Sequence, residues 1–82
     1  MFYTYLIKSL NHNWHYTGST KDLKKRFFEY NLGKVKSTKF YKPFILVYYE
    51  AYQSYSMANK REMELKNNNH QKELLFRRLG IL

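Results

Sequence analysis

Apolar and polar positions alternate over residues 2–8, and the residues are rich in β-branched and aromatic types, which predicts a strand. Ser9 to Asn13 is polar and asparagine-rich, the composition of a hairpin loop. Residues 14–18 predict a second strand. If the hairpin centres between Leu10 and Asn11, Tyr5 stands directly opposite Tyr16, and opposed residues share one face of a sheet. From about Lys21 to Asn31 the period changes to that of a helix. Leu23, Phe27 and Tyr30 form its inner stripe, Ser19 or Thr20 is its expected N-cap, Asp22 lies in its first turn and Gly33 stops it. Arg26 falls beside that stripe, on the flank it shares with Tyr30. Phe44 to Ala51 is the most apolar of the strands and is expected to be central or well buried. Ser54 is a plausible N-cap for a helix from about Tyr55 to Lys66, with Ala58, Glu62 and Leu65 on one stripe. Asn67-Asn68-Asn69 reads as a break or loop. A last helix, about His70 to Leu79, should turn Leu74, Leu75 and Leu79 inward and Lys72, Arg77 and Arg78 outward, with Gly80 ending it.

The element order is therefore β-β-α-β-α-α. It predicts a small α/β (α+β) sandwich, a three-stranded, mostly antiparallel sheet flanked by helices. Residues 1–82 are expected to make a single domain. So short a chain buries a limited core, and with no cysteine it gains no disulfide; sixteen aromatic residues, nine Tyr, six Phe and one Trp, supply apolar area instead. The absence of cysteine fits a reducing cytoplasm. No run of 18 apolar residues is present, and the N-terminus lacks the pattern of a signal peptide.

Fifteen basic residues against six acidic give a formal charge of +9. A surplus that large on so small a surface favours polyanions, nucleic acid above all. Lys34, Lys36, Lys39 and Lys42 lie in the segment between the first helix and the third strand. By default they are solvated charges; against a nucleic-acid backbone they are the natural clamp.

Glu62 is the anomaly of the pattern. A carboxylate at the edge of an apolar stripe is costly unless a cation compensates it. Two readings are open, a salt bridge to a Lys or Arg, or a ligand for Mg²⁺, which takes few protein carboxylates and keeps water or phosphate as its other ligands. Arg26 is similarly either a solvated helix residue or a planar fork for phosphate. Tyr5 and Tyr16 are either half-buried strand residues or phenols with a chemical task. A phenol accepts a proton only if a nearby cation or metal lowers its pKa of roughly 10. His12, His15 and His70 have no metal-ligand spacing, and there is no phosphate-binding glycine loop.

Taken in order, these segments resemble the GIY-YIG nuclease domain, in its small stand-alone bacterial branch, over nearly the whole chain. Tyr3-Thr4-Tyr5 stands at the first motif and Tyr16-Thr17-Gly18 at the second. Asp22-Leu23-Lys24-Lys25-Arg26 resembles the family's first helix. Asn31-Leu32-Gly33-Lys34 and Pro43 to Glu50 resemble the following loop and strand. Ala58 to Lys66 resembles the helix that carries a metal-binding glutamate. The departures are Tyr3 and Thr4 for Gly and Ile, Thr17 for Ile, and Tyr30 where a histidine is common; the family's excision-repair nucleases also place a tyrosine there.

The resemblance implies a divalent-metal-dependent endonuclease that cleaves phosphodiester bonds in DNA. Glu62 would hold Mg²⁺ or Mn²⁺, Arg26 would stabilise the pentacovalent phosphate, Tyr5 would accept a proton from the attacking water, and Tyr16 would orient that water or the phosphate, with Tyr30 completing a set of phenols. No residues are left over for a separate recognition domain, so the expectation is structure-selective rather than sequence-specific cutting, with a role such as DNA repair. RNA as substrate, and a homodimer or a protein partner for targeting, stay open. The alternative is a non-catalytic nucleic-acid-binding module that keeps the fold, and a less favoured one a protein-interaction domain that displays its tyrosines.

Overall fold

In the computed structural model, which describes residues 1–81, the elements follow the predicted order. They are β1 (Phe2–Ser9), β2 (His15–Thr20), α1 (Leu23–Leu32), a 3₁₀ turn (Lys39–Tyr41), β3 (Phe44–Tyr52), α2 (Tyr55–Asn67) and α3 (Asn69–Leu79). The three strands make one antiparallel sheet in the order β2-β1-β3.

β1, not β3, is therefore the central strand. Its run Thr4 to Ile7 is fully buried, whereas on β3 Ile45, Leu46 and Tyr49 are exposed. Sequence order explains this: β1 pairs with β2 through a short hairpin and with β3 on its other edge, so the last strand takes an outer position. β3 carries an irregularity in its pairing opposite Leu6 and Ile7. One residue, Val47, is left over there, so Phe44 and Leu46 share a face with Tyr49, and Tyr48, Glu50 and Tyr52 share the other.

The hairpin register also departs from the expected one. Tyr5 is opposite Gly18, and Tyr16 is opposite Ile7. The strands close one step later than predicted, where Ser9 N–H donates to the Trp14 carbonyl at 3.0 Å. Ser9 Oγ accepts from the backbone N–H groups of Asn11 and His12 and so shapes the loop. Because the shift is two positions, the side-chain alternation survives, and Tyr5 and Tyr16 stay on one face.

α1 begins later than expected. Its N-cap is Asp22, whose carboxylate accepts from Lys25 N–H at 3.0 Å, rather than Ser19 or Thr20, which remain in β2. Gly33 ends it at φ 76°, a left-handed conformation that glycine adopts without a Cβ penalty. Ser54 caps α2 as expected. Asn68 alone separates α2 from α3, ending one helix and capping the next through its side chain. On α3, Leu75 and Phe76 face inward, but Leu74 is exposed, contrary to expectation. Phe76, with the His15 ring tilted against it at 5.0 Å, takes the inward place; the helix meets its neighbours along a face rotated by one side chain.

Two layers of apolar contact result. On one face of the sheet Tyr5, Ile7, Tyr30 and Phe44 form a core with Trp14, Tyr16, Leu23, Phe27, Val35 and Tyr41 packed around it. On the other, Leu6, Ala58, Leu65, Leu75 and Phe76 are buried. Thr4, buried among them, donates to the Ala58 carbonyl at 2.6 Å and ties α2 to the central strand.

Candidate active site

Alternation along β1 and β2 sends Tyr5 and Tyr16 toward α1. There Tyr30, 1% exposed, meets both. Its hydroxyl shares a hydrogen bond with that of Tyr5 at 2.5 Å, and its ring lies 5.8 Å from that of Tyr16. Arg26, one turn earlier on α1, holds its guanidinium 5.0 Å from the centre of the Tyr30 ring. Four of the sequence-predicted residues, Tyr5, Tyr16, Arg26 and Tyr30, thus come together on one face.

Burial pushes the Tyr5 phenol well above its ordinary value, and the hydrogen bond with Tyr30 adds to the effect; Arg26 acts against both. Burial likewise raises Tyr30, against the pull of Tyr5 and Arg26. At neutral pH both phenols keep their protons. Among the described residues Arg26 has one carboxylate partner, Glu29 at 3.3 Å, and its side chain is 39% exposed. A pair that open to water is weak, so the fork is available to a stronger anion.

Glu62 sits on the α2 side of β2. Its Oε1 accepts from Ser19 Oγ at 2.5 Å, and its Oε2 pairs with Lys66 Nζ at 2.7 Å. Ser19 points to the opposite face from Tyr16 by strand alternation. β2 is an edge strand, however, and Lys66 reaches around it: the same ammonium that binds Glu62 lies 5.0 Å from the centre of the Tyr16 ring. Burial works against the charged ammonium of Lys66, but Glu62 outweighs it and holds the group above its usual value. The salt-bridge reading of Glu62 is therefore realised, and Lys66 is its partner. Sequence reasoning missed Lys66 and Ser19; the i, i+4 spacing of Glu62 and Lys66 was the available signal.

Among the described residues no group of three His, Cys, Asp or Glu side chains could hold a metal. The donor set suits a cation that takes one carboxylate and draws its other ligands from water and phosphate, as Mg²⁺ does, and it suits no all-protein cage. The Glu62 side chain is 15% exposed, which leaves an opening to such a cation if Lys66 yields one oxygen.

The four predicted loop lysines, Lys34, Lys36, Lys39 and Lys42, are all exposed. Lys39 opens the 3₁₀ turn and the others flank it in sequence; the turn is fastened to the sheet: Ser9 Oγ donates to the Tyr41 carbonyl at 2.6 Å, and Asn31 bonds both backbone groups of Phe44. A groove of about 680 Å³ lies elsewhere, lined by Tyr3, Leu23, Lys24, Phe27, Leu46 and Tyr49 on the other flank of α1 from Arg26.

A second polar cluster escaped the sequence reading. Glu50 accepts from Tyr48, from Tyr52 and, with both oxygens, from Arg61 Nε at 3.1 Å; Arg61 also pairs with Glu64. Every member has a partner, and the cluster joins β3 to α2.

No helix among the described residues is long and apolar enough to cross a membrane. No solved structure matches the chain. A UPF0213 protein of Staphylococcus saprophyticus is 41% identical over 73 residues, 88% of each chain. UPF0213 proteins of Staphylococcus haemolyticus and Staphylococcus epidermidis are 38% and 41% identical over the same length and shares. The family model of the GIY-YIG catalytic domain matches residues 1–74, which span both tyrosine strands, Arg26 and Glu62. The chain thus belongs to the GIY-YIG family and has its nuclease-type fold.

Proposed function

We propose that this protein is a divalent-metal-dependent endonuclease that cleaves phosphodiester bonds in DNA, selecting for structure rather than sequence, and that it works in the cytoplasm. The observation that carries the reading is the convergence of Arg26 with Tyr5, Tyr16 and Tyr30 on one face, beside an edge strand that Glu62 reaches from below.

Each residue has a physical task in this reading. Arg26 exchanges Glu29 for the scissile phosphate, where its planar fork meets charge growing on the equatorial oxygens. Tyr30 holds the guanidinium in place through its ring and fixes Tyr5 through its hydroxyl. Tyr16, less buried than Tyr5, orients the attacking water or the phosphate. Tyr5 keeps its proton in the free protein; it accepts one from the water only as a phenolate, after releasing its own proton to solvent when positive charge comes close. Glu62, with Ser19 steadying one oxygen, would hold Mg²⁺ or Mn²⁺. That cation, when bound, supplies charge neutralisation at the leaving oxygen. Lys34, Lys36, Lys39 and Lys42 grip the backbone of the strand.

The test is a nicking assay with Mg²⁺ or Mn²⁺ on flapped, branched and single-stranded DNA, comparing wild type with Glu62→Ala. Cleavage that disappears in the variant is expected; equal activity in both would overturn the proposal. One observation favours a second reading, a binding module without catalysis: Lys66 already neutralises the carboxylate that would take the metal. That reading predicts salt-sensitive binding with no cleavage in any metal.

A further inference from the structure

Phe40 is 74% exposed, more than any other large apolar side chain among the described residues. It stands in the middle of the 3₁₀ turn Lys39–Tyr41, with Lys34, Lys36, Lys39 and Lys42 around it in the sequence. Among the described residues its ring meets two others, His12 at 5.4 Å and Tyr41 at 5.1 Å between centroids. Single exposed apolar residues are ordinary on protein surfaces. Two features set this one apart.

The first is its mounting. Tyr41 N–H donates to the Thr38 carbonyl at 2.9 Å, Thr38 is fully buried, and Tyr41 lies nearly parallel to Trp14 at 4.0 Å. The turn therefore holds the Phe40 ring out in water on a rigid base. The second is its place. From Phe40 a file of rings runs through Tyr41 and Trp14 to Tyr16, 5.9 Å from Trp14, and on to Tyr30 and Tyr5. The exposed end of this file lies in the lysine-rich segment 34–42, and its buried end is the candidate active site.

A flat apolar ring exposed in a lysine-rich segment matches one ligand chemistry, a base whose face is free and whose phosphates are anionic. We propose that Phe40, with His12 beside it, is a stacking platform for an unpaired base of a DNA strand, whose flanking phosphates the loop lysines hold. This rests on the reading of the protein as DNA-binding and deepens it. It supplies the structure selectivity: a paired duplex keeps its internal base faces stacked, whereas a flap or single strand offers them.

The test measures binding by fluorescence anisotropy in metal-free buffer, so that cleavage plays no part. The probes are a single DNA strand, a flapped duplex, a blunt duplex and an RNA strand of the same sequence. Phe40→Ala is expected to weaken the single strand and the flap about tenfold and to leave the blunt duplex within about twofold. Phe40→Trp should bind like wild type, and Phe40→Leu like Phe40→Ala. Equal losses on all DNA probes, or none, would overturn the platform, and loss on RNA alone would overturn the DNA assignment. If wild type binds no probe, the reading of the protein as DNA-binding fails with it; if wild type binds and cleaves but Phe40→Ala is unaltered, the platform alone fails. Phe40 is exposed, so unchanged thermal melting of the variants is the control for folding.

Discussion

The ring of Tyr5 occupies the space that a side chain at Gly18 would need. A Cβ placed on Gly18 would stand 2.7 Å from Cζ of Tyr5 and nearer still to its hydroxyl oxygen. Glycine is required here for close approach: the second motif keeps a bare backbone so that the tyrosine of the first can cross it and reach Tyr30.

Gly18→Ala should therefore push Tyr5 off Tyr30 or bend β2. Overpacking of this kind typically costs about 1–3 kcal/mol. Thermal melting should show the loss, and the nicking assay should fall further than stability alone accounts for, because the phenol pair is displaced.

The Tyr5–Tyr30 hydrogen bond is buried on both sides, so removing one hydroxyl strands the other. Tyr5→Phe and Tyr30→Phe are each expected to cost about 1–3 kcal/mol, and the double variant less than the sum. Denaturant unfolding of the four proteins in a double-mutant cycle measures the coupling; strict additivity would show that the two hydroxyls do not interact.

Stability should fall with acid in two separate windows. Burial, with Lys8 and Lys72 nearby, holds His15 below its ordinary 6.5. The unfolded chain then binds the extra proton first, so stability present above pH 6.5 is lost as pH falls from 6.5 toward the depressed folded value. Among the described residues its Nε2 is buried without a partner, so they offer the charged ring little compensation. Burial alone would raise Glu50, but hydrogen bonds from Tyr52, Tyr48 and Arg61 together outweigh it and leave the carboxyl below its ordinary 4.5. Its contribution is present above pH 4.5 and lost below. Melting temperature against pH should lose the upper slope in His15→Gln and the lower slope in Glu50→Gln.

Lys66 competes for the carboxylate that would bind the metal. On the nuclease reading, Lys66→Ala should lower the Mg²⁺ or Mn²⁺ concentration needed for half-maximal cleavage several-fold, whereas Glu62→Ala abolishes cleavage. A metal titration of the nicking rate decides it. An unchanged midpoint in Lys66→Ala would show that the Glu62–Lys66 pair does not gate the site.

Each loop lysine that meets a phosphate releases about one counterion. Lys36→Ala and Lys39→Ala should each reduce the slope of log affinity against log salt by about 0.9 on duplex DNA. Titrations at several salt concentrations measure it, and an unaltered slope would remove that lysine from the interface.

The sequence by itself determined whatever depends on near neighbours in the chain. The element order, the caps at Ser54, Gly33 and Gly80, the common face of Tyr5 and Tyr16, and the Arg26–Tyr30 flank all follow from periods of 2 or 3.6 and from local backbone chemistry. So does the anomaly of Glu62, though not that Lys66, one turn on, would answer it. Tertiary structure decided what depends on distant partners. Apolar content alone pointed to β3 as the buried strand, but centrality belongs to the strand that pairs on both edges, and that is β1. The hairpin register turned on Gly18, where Tyr5 needs room, which no alternation pattern records. Phe76 displaced the expected Leu74 because helix rotation follows the surface it meets, here His15 on β2. The contact between Tyr5 and Tyr30 joins residues 25 apart in sequence, and the Glu62–Ser19 bond residues 43 apart. Such contacts form only when packing brings strand and helix together, so the chain could name the site's residues but only the fold could set their geometry.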